Sequence, residues 1–102
     1  MAMSREDLHE KLKELLGSNN VYYRAPASKD MKYPAIKYRK TKPNTKRANN
    51  AVYVEKDCYE LIVIDYDPDN PVIEELKKLP YCSYDRNYIS DNLEHDVLTI
   101  YV

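Results

Sequence analysis

A single glycine, Gly17, stands in this chain of 102 residues, and that scarcity excludes whole classes of site. P-loops, dinucleotide-binding folds and nucleophile elbows need glycine where backbone approaches a phosphate or turns sharply, so none can be built here. Two histidines, His9 and His95, leave little for zinc chemistry. The length predicts one domain over residues 1–102, with no room for a catalytic unit plus a regulator. Hydrophobic residues make up 43% and charged residues 32%, a balance of folded chains with a heavily solvated surface. The core of so short a chain is thin, and self-association would add burial. Eleven tyrosines with no Phe and no Trp bring large rings whose hydroxyls need water or a partner, which suits either an interface or the rim of a sheet.

Periodicity sets the order of elements. Ser4 and Asp7 ahead of Leu8, Leu12, Leu15 and Leu16, closed by Gly17, predict a helix from about Ser4 to Leu16. VYY at 21–23 reads as a short strand that stops before Pro26. In PAIKYRK, residues 34–40, Ile36 and Tyr38 alternate with Lys37 and Arg39, the pattern of a strand with one wet face. TKPNTKRANN is rich in turn formers and predicts a mobile basic loop at 41–50. AVYVEKDCYELIVIDY supplies strand residues to Tyr66, with a kink expected near Lys56 and Asp57. After a second helix, CSYDRNYIS reads as a strand, DNL as a turn and HDVLTIYV as the last strand. The fold class expected is α+β: a mainly antiparallel β-sheet with two helices packed on one face, in the order α-β-β-β-α-β-β. The longest apolar run, LIVI at 61–64, is far below the roughly 20 residues that span a bilayer. The polar start MAMSREDLHEKL carries no signal peptide, so a chain assembled in the cytosol is expected, with Cys58 and Cys82 as reduced, buried strand residues.

The stretch VIDYDPDNPVIEELKKLP, residues 63–80, places Asp65, Asp67 and Asp69 at alternate positions before an amphipathic run. As a calcium loop beginning at Asp65 it would want glycine at its sixth position and a bidentate glutamate at its twelfth, where Asn70 and Leu76 stand. As a strand-to-helix junction it needs nothing more. Asp65 closes the strand, Asn70 caps, Pro71 takes the first helical position, and Val72, Ile73, Leu76 and Leu79 form the buried stripe until Pro80. Aspartates also favour a helix N-terminus. The junction is the reading adopted, and no metal or cofactor is expected.

Net charge is −1, yet its distribution is uneven. Between Arg24 and Arg47 stand nine bases (Arg24, Lys29, Lys32, Lys37, Arg39, Lys40, Lys42, Lys46, Arg47) against Asp30 alone, whereas between Asp57 and Asp96 eleven acids face Lys77, Lys78 and Arg86. Plain solvation of two exposed faces accounts for this. So does head-to-tail association, in which unlike surfaces meet and close into a ring, with charge setting register and partner choice. A third account sends Lys37, Arg39, Lys40, Lys42, Lys46 and Arg47 to nucleic-acid phosphates with Tyr38 as a stacking ring. Catalysis finds no footing. Glu94, His95 and Asp96 are strand neighbours that point to opposite faces, a hydrolase built on Asp65 to Asp69 is the weakest account, and no catalytic residue is assigned.

The segment CYELIVIDYDPDNPVIEELKKLPYCSYDRNYISDNLEHDVLTIYV resembles the C-terminal half of small tail-completion, or tail-terminator-type, head-tail joining proteins of long-tailed bacteriophages and prophages. The features that carry the likeness are VIDYDPDNP after a strand, LPYCSYDRNY, and the closing DNLEHDVLTIYV; YPAIKYRK and the loop after it fit the N-terminal half, so the likeness runs from Val21 onward. It implies a non-enzymatic structural subunit of a ring, commonly sixfold, at the head-proximal end of the tail tube, which stops tube growth and joins tail to head. The partners implied are other copies of the chain, tail-tube and head-tail connector proteins, with weak non-specific DNA contact in the lumen and no membrane. The station implied is the virion, after assembly in the bacterial cytoplasm. The expected interface residues come from charge and loop position: Lys37, Arg39, Lys40, Lys42, Lys46 and Arg47 on one side, Asp65, Asp67 and Asp69 on the other.

Overall fold

The computed structural model describes residues 4–25, 31–41 and 57–102. Two helices and five strands follow in the expected order: α1 (Arg5–Leu16), β1 (Val21–Tyr23), β2 (Ala35–Thr41), β3 (Cys58–Asp65), α2 (Val72–Lys77), β4 (Cys82–Ser90) and β5 (Leu93–Tyr101). The strands form one sheet in the order β1-β2-β3-β5-β4. β1 lies parallel to β2, and every other neighbour is antiparallel.

Alternation decides which side of the sheet the helices cover. Ladder pairing puts Ile36 beside Val63, Tyr38 beside Leu61, and Leu61 beside Leu98. These side chains, with Tyr59 and Ile100, share one face because successive residues of a strand point to opposite sides. Leu8 and Leu12, one turn apart on α1, and Val72, Ile73 and Leu76 on α2 are buried against that same face in one core cluster. Helix α1 is fixed at both ends. The Ser4 hydroxyl accepts the Asp7 N–H at 3.1 Å, and Gly17 closes α1 in the left-handed region at φ 78°, donating its N–H to the Lys13 carbonyl. A side chain at Gly17 would meet no neighbour; it is the positive φ that favours glycine there.

Sequence and structure differ at three boundaries. β5 begins at Leu93, not at His95, because Asp91 and Asn92 alone make the turn, both at positive φ (53° and 62°). That is the two-residue hairpin turn whose twist matches its strands, and it pairs Ser90 with Leu93. α2 ends at Lys77, short of the expected Pro80, and Leu79 packs against the core from beyond the helix. Thr41, assigned above to the loop, is the last residue of β2. The expectations for 42–50 and for strand residues over 51–56, with the kink at Lys56, fall outside the described residues; β3 begins at Cys58, just after Asp57. Among the described residues no helix is long and apolar enough to cross a membrane.

Leu61 sits at the centre of this packing, fully buried on β3 between Tyr38 and Leu98. Leu61→Ala is expected to cost about 2–5 kcal/mol, the range for deleting a buried leucine, read as a lowered urea midpoint with an unchanged slope.

Candidate assembly surfaces

The basic end of the sheet is built where β1 stops. β1 pairs with β2 only from Val21↔Ile36 to Tyr23↔Tyr38. Arg24 then takes φ 53°, gives its N–H to the Tyr38 carbonyl and turns the chain off the ladder. Beside the remaining β2 residues lies a cleft of about 650 Å³, lined by Tyr23, Arg24, Lys37, Tyr38, Arg39 and Lys40 together with Ala25, Glu60 and Ile62. Helix α1 braces this end through Tyr38, which is buried. The Arg5 guanidinium reaches the Tyr38 hydroxyl at 3.4 Å and lies 4.5 Å from the Tyr23 ring centre. His9 Nδ1 is 2.7 Å from the same hydroxyl. The hydroxyl thus serves both Arg5, which donates to it, and His9, with which it shares a hydrogen bond whose direction follows the imidazole tautomer.

Of the expected basic residues, Lys37, Arg39 and Lys40 line this end of β2, Lys40 on the helix face with Tyr38 and Tyr59 and the other two on the opposite face, while Lys42, Lys46 and Arg47 lie outside the described residues. Two of the three already hold carboxylates of their own chain. Arg39 Nε donates to Glu60 across the β2–β3 ladder at 3.3 Å, and Lys40 Nζ meets Asp57 at 3.2 Å. The Lys40 pKa is raised by its hydrogen bond to Asp57. Exposed pairs of this kind contribute about 0–1 kcal/mol and exchange readily. The side chains of Lys37 and Arg24 have no ion pair among the described residues.

Asp65, Asp67 and Asp69 gather at the other end of the central strands. Asp65 closes β3 and spends both oxygens locally, accepting the Tyr66 N–H at 2.7 Å and the Asn70 side-chain amide at 2.8 Å. Asp67 accepts the Asp69 N–H at 2.9 Å in a turn of its own. Asn70 accepts the Val72 N–H at 2.9 Å, and Pro71 already has helical dihedrals, φ −65° and ψ −17°. The geometry is therefore a capped helix start with proline in its first turn, which answers the question raised by the alternating aspartates. Among the described residues no group of three His, Cys, Asp or Glu side chains is placed to hold a metal ion.

Arg39 pairs with Glu60 on β3, and Asp65 lies five residues further along that strand. At 3.3–3.4 Å per residue the basic and acidic groups are about 17 Å apart. Lys37, opposite Ile62, stands nearer, at about 10 Å. The two signs are thus separated along the sheet and do not neutralise each other directly.

One polar residue of consequence escaped the sequence. Asp96 is only 7% exposed and points to the helix face. It accepts the Tyr84 hydroxyl at 2.7 Å and the Asn87 amide at 3.2 Å. That hydrogen bond, followed by burial, pushes the Tyr84 pKa up to about 12. Lys77 of α2 lies 4.9 Å from the same tyrosine ring, so the group ties α2 to β4. His95 points the other way and stacks on Tyr88 at 4.7 Å, as alternation required for neighbours in a strand. Cys58 and Cys82 are free thiols on opposite faces of the sheet. Burial raises both pKa values, that of Cys82 to about 11, which makes them poor nucleophiles. Cys58 is buried as expected, and Cys82 only partly so.

Comparisons of the chain with protein-family models, with curated proteins and with solved structures return no match.

Burial, with Lys13 and Arg5 nearby, lowers the His9 pKa below its ordinary 6.5. In the window just below pH 6.5 the unfolded chain therefore binds more protons than the folded one. Stability is complete above about pH 6.5 and falls as pH drops toward and through the lowered value. His9→Gln is expected to flatten that part of a urea-midpoint against pH curve. Tyr84→Phe leaves Asp96 with fewer donors and is expected to cost about 1–3 kcal/mol, measured by the same unfolding assay at neutral pH.

Proposed function

We propose that this chain is a structural subunit of a phage tail, which associates head to tail into a ring at the head-proximal end of the tail tube, ends tube growth and joins tail to head. The observation that carries the reading is the separation of charge along β2 and β3: Lys37, Arg39 and Lys40 beside the basic cleft, Asp65, Asp67 and Asp69 at the opposite end. A subunit with unlike ends can contact an identical neighbour through two different surfaces, which is what a cyclic assembly requires. Charge fixes the order of contact and disfavours like-to-like pairing. The resemblance carried by VIDYDPDNP, LPYCSYDRNY and DNLEHDVLTIYV supplies the station; the virion is the place and the host cytoplasm the site of assembly. The partners are then further copies of the chain, a commonly sixfold ring, tail-tube subunits and the head-tail connector. Catalysis has no part in it.

The cleft also favours a second reading, a nucleic-acid-binding module, because Arg24, Lys37, Arg39 and Lys40 line one concavity. In that case DNA affinity would fall steeply with salt, in proportion to the phosphates neutralised. Electron microscopy of phage lysates lacking this protein tests the first reading. Overlong tails unattached to heads are expected, and intact particles would refute it.

A further inference from the structure

The sheet has two edges, and they differ in a complementary way. β4 forms one. From Tyr84 to Ser90 every residue is exposed, and no described strand pairs with its outer side. Such an edge presents unpaired N–H and C=O groups to any extended partner. A register shift between Tyr84 and Arg86 interrupts the row, and Asp85 there accepts a hydrogen bond from Thr99, which leaves Arg86–Ser90 as the regular part. The two-residue turn makes Ser90 and Leu93 a hydrogen-bonded pair, so by alternation the N–H and C=O of Asn87 and Ile89 point outward. Ile89 is 66% exposed, and the Tyr88 ring stacks on His95 at 4.7 Å with the Arg86 guanidinium 5.9 Å from its centre. Lysine and proline, which commonly guard an edge, are absent from CSYDRNYIS.

The opposite edge is short and leaves a gap. β1 covers β2 only as far as Tyr38, so Arg39–Thr41 have no described strand on that side, and the basic cleft opens there. Strand direction matches the two edges to each other. β2, β3, β5 and β4 alternate in direction, so β4 runs antiparallel to β2 and to β1, which lies parallel to β2. A neighbouring copy brought alongside in the same orientation therefore offers its β4 to the β1–β2 edge as an antiparallel strand, the stronger of the two ladders. Charge acts from the flanks of the strand: Asp85 and Asp91 stand on either side of Arg86–Ser90, whose one charged residue is Arg86, while the cleft carries Arg24, Lys37, Arg39 and Lys40 against Glu60. Two β4 strands facing each other would leave that cleft unused.

We propose that the outer edge of β4, over Arg86–Ser90, is the strand that adds to the β1–β2 edge of a second copy of this chain, beside the cleft lined by Tyr23, Arg24, Lys37 and Lys40. The inference rests on the ring reading and names the segments that make its contact. Backbone bonds supply the attachment, as in other strand additions, strand polarity sets its direction, and Asp85 and Asp91 flank it toward the cations of the cleft.

Two variants of the full chain test it by sedimentation velocity over rising concentration. Ile89→Pro removes an outward N–H at an edge position that tolerates proline, with Ile89→Lys as a second version should the proline disturb folding. Arg24→Glu with Lys37→Glu reverses the cleft at two cations whose loss breaks no ion pair among the described residues. Each variant alone is expected to self-associate at least about tenfold more weakly than the parent, a difference of 1.4 kcal/mol. Mixed together, they are expected to form a one-to-one dimer and nothing larger, because each retains one intact surface. Variants that associate like the parent would overturn the proposal while leaving a ring through another surface possible. Normal self-association of the cleft variant with loss only in the β4 variants would mean β4 pairs with itself, and would also overturn it. So would a parent chain monomeric up to about 1 mM, where only contacts weaker than about 4 kcal/mol remain. The ring reading fails separately, in the lysates, if tails keep their length without the protein.

Discussion

Everything else in the molecule depends on one packed interface: the face of β2, β3 and β5 that carries Ile36, Tyr38, Leu61, Val63, Leu98 and Ile100, closed by Leu8 and Leu12 from α1 and by Val72, Ile73 and Leu76 from α2. Each of those side chains is within reach of the helices because strand alternation sends it to the same side. Burial of a leucine or isoleucine contributes about 1.5–3 kcal/mol, and no single residue suffices to order a chain of this length. With the centre of the sheet held this way, its two ends become fixed points at which charge can be placed. Tyr38 shows the link most directly, since its ring belongs to the core while its hydroxyl anchors Arg5 and His9 beside the basic cleft.

The aspartate-rich corner follows from the same frame. β3 must hand over to α2 without glycine, and it does so with side chains. Asp65 and Asn70 bond to each other, Asp67 turns the chain at Asp69, and Asn70 caps the helix. The negative charge at that end is therefore a product of making the turn, and becomes available to a neighbour only through the exposed Asp67 and Asp69. At the other end the cations are partly matched inside the chain by Glu60 and Asp57. In the proposed ring, complementarity between copies would work with residual charge, which sets register and partner choice more than affinity.

Much of this was legible in the residues. The helix stripe at Leu8 and Leu12, the alternation in 35–41 and 95–101, the cap at Asn70 and the separation of charge each follow from a spacing or a residue type. What the chain did not disclose depends on strand order. Nothing local reveals that β5 lies between β3 and β4, and so nothing local reveals that Asp96 is enclosed by Tyr84 and Asn87, or that β4 is an edge. The parallel pairing of β1 with β2 was equally hidden, because three residues carry too little pattern to fix a partner. The cleft beside Lys37–Lys40 is a consequence of that short strand ending at Arg24.

A ring of identical two-signed subunits makes a geometric demand that an image of the assembled particle can meet or fail. Electron cryo-microscopy of the protein on tail tubes, refined with cyclic symmetry, would place each copy relative to the next. Head-to-tail association predicts the Lys37–Lys40 end of one subunit against the unlike surface of its neighbour around a closed ring. Subunits related by two-fold axes, or with their basic ends facing solvent and their contacts elsewhere, would contradict it.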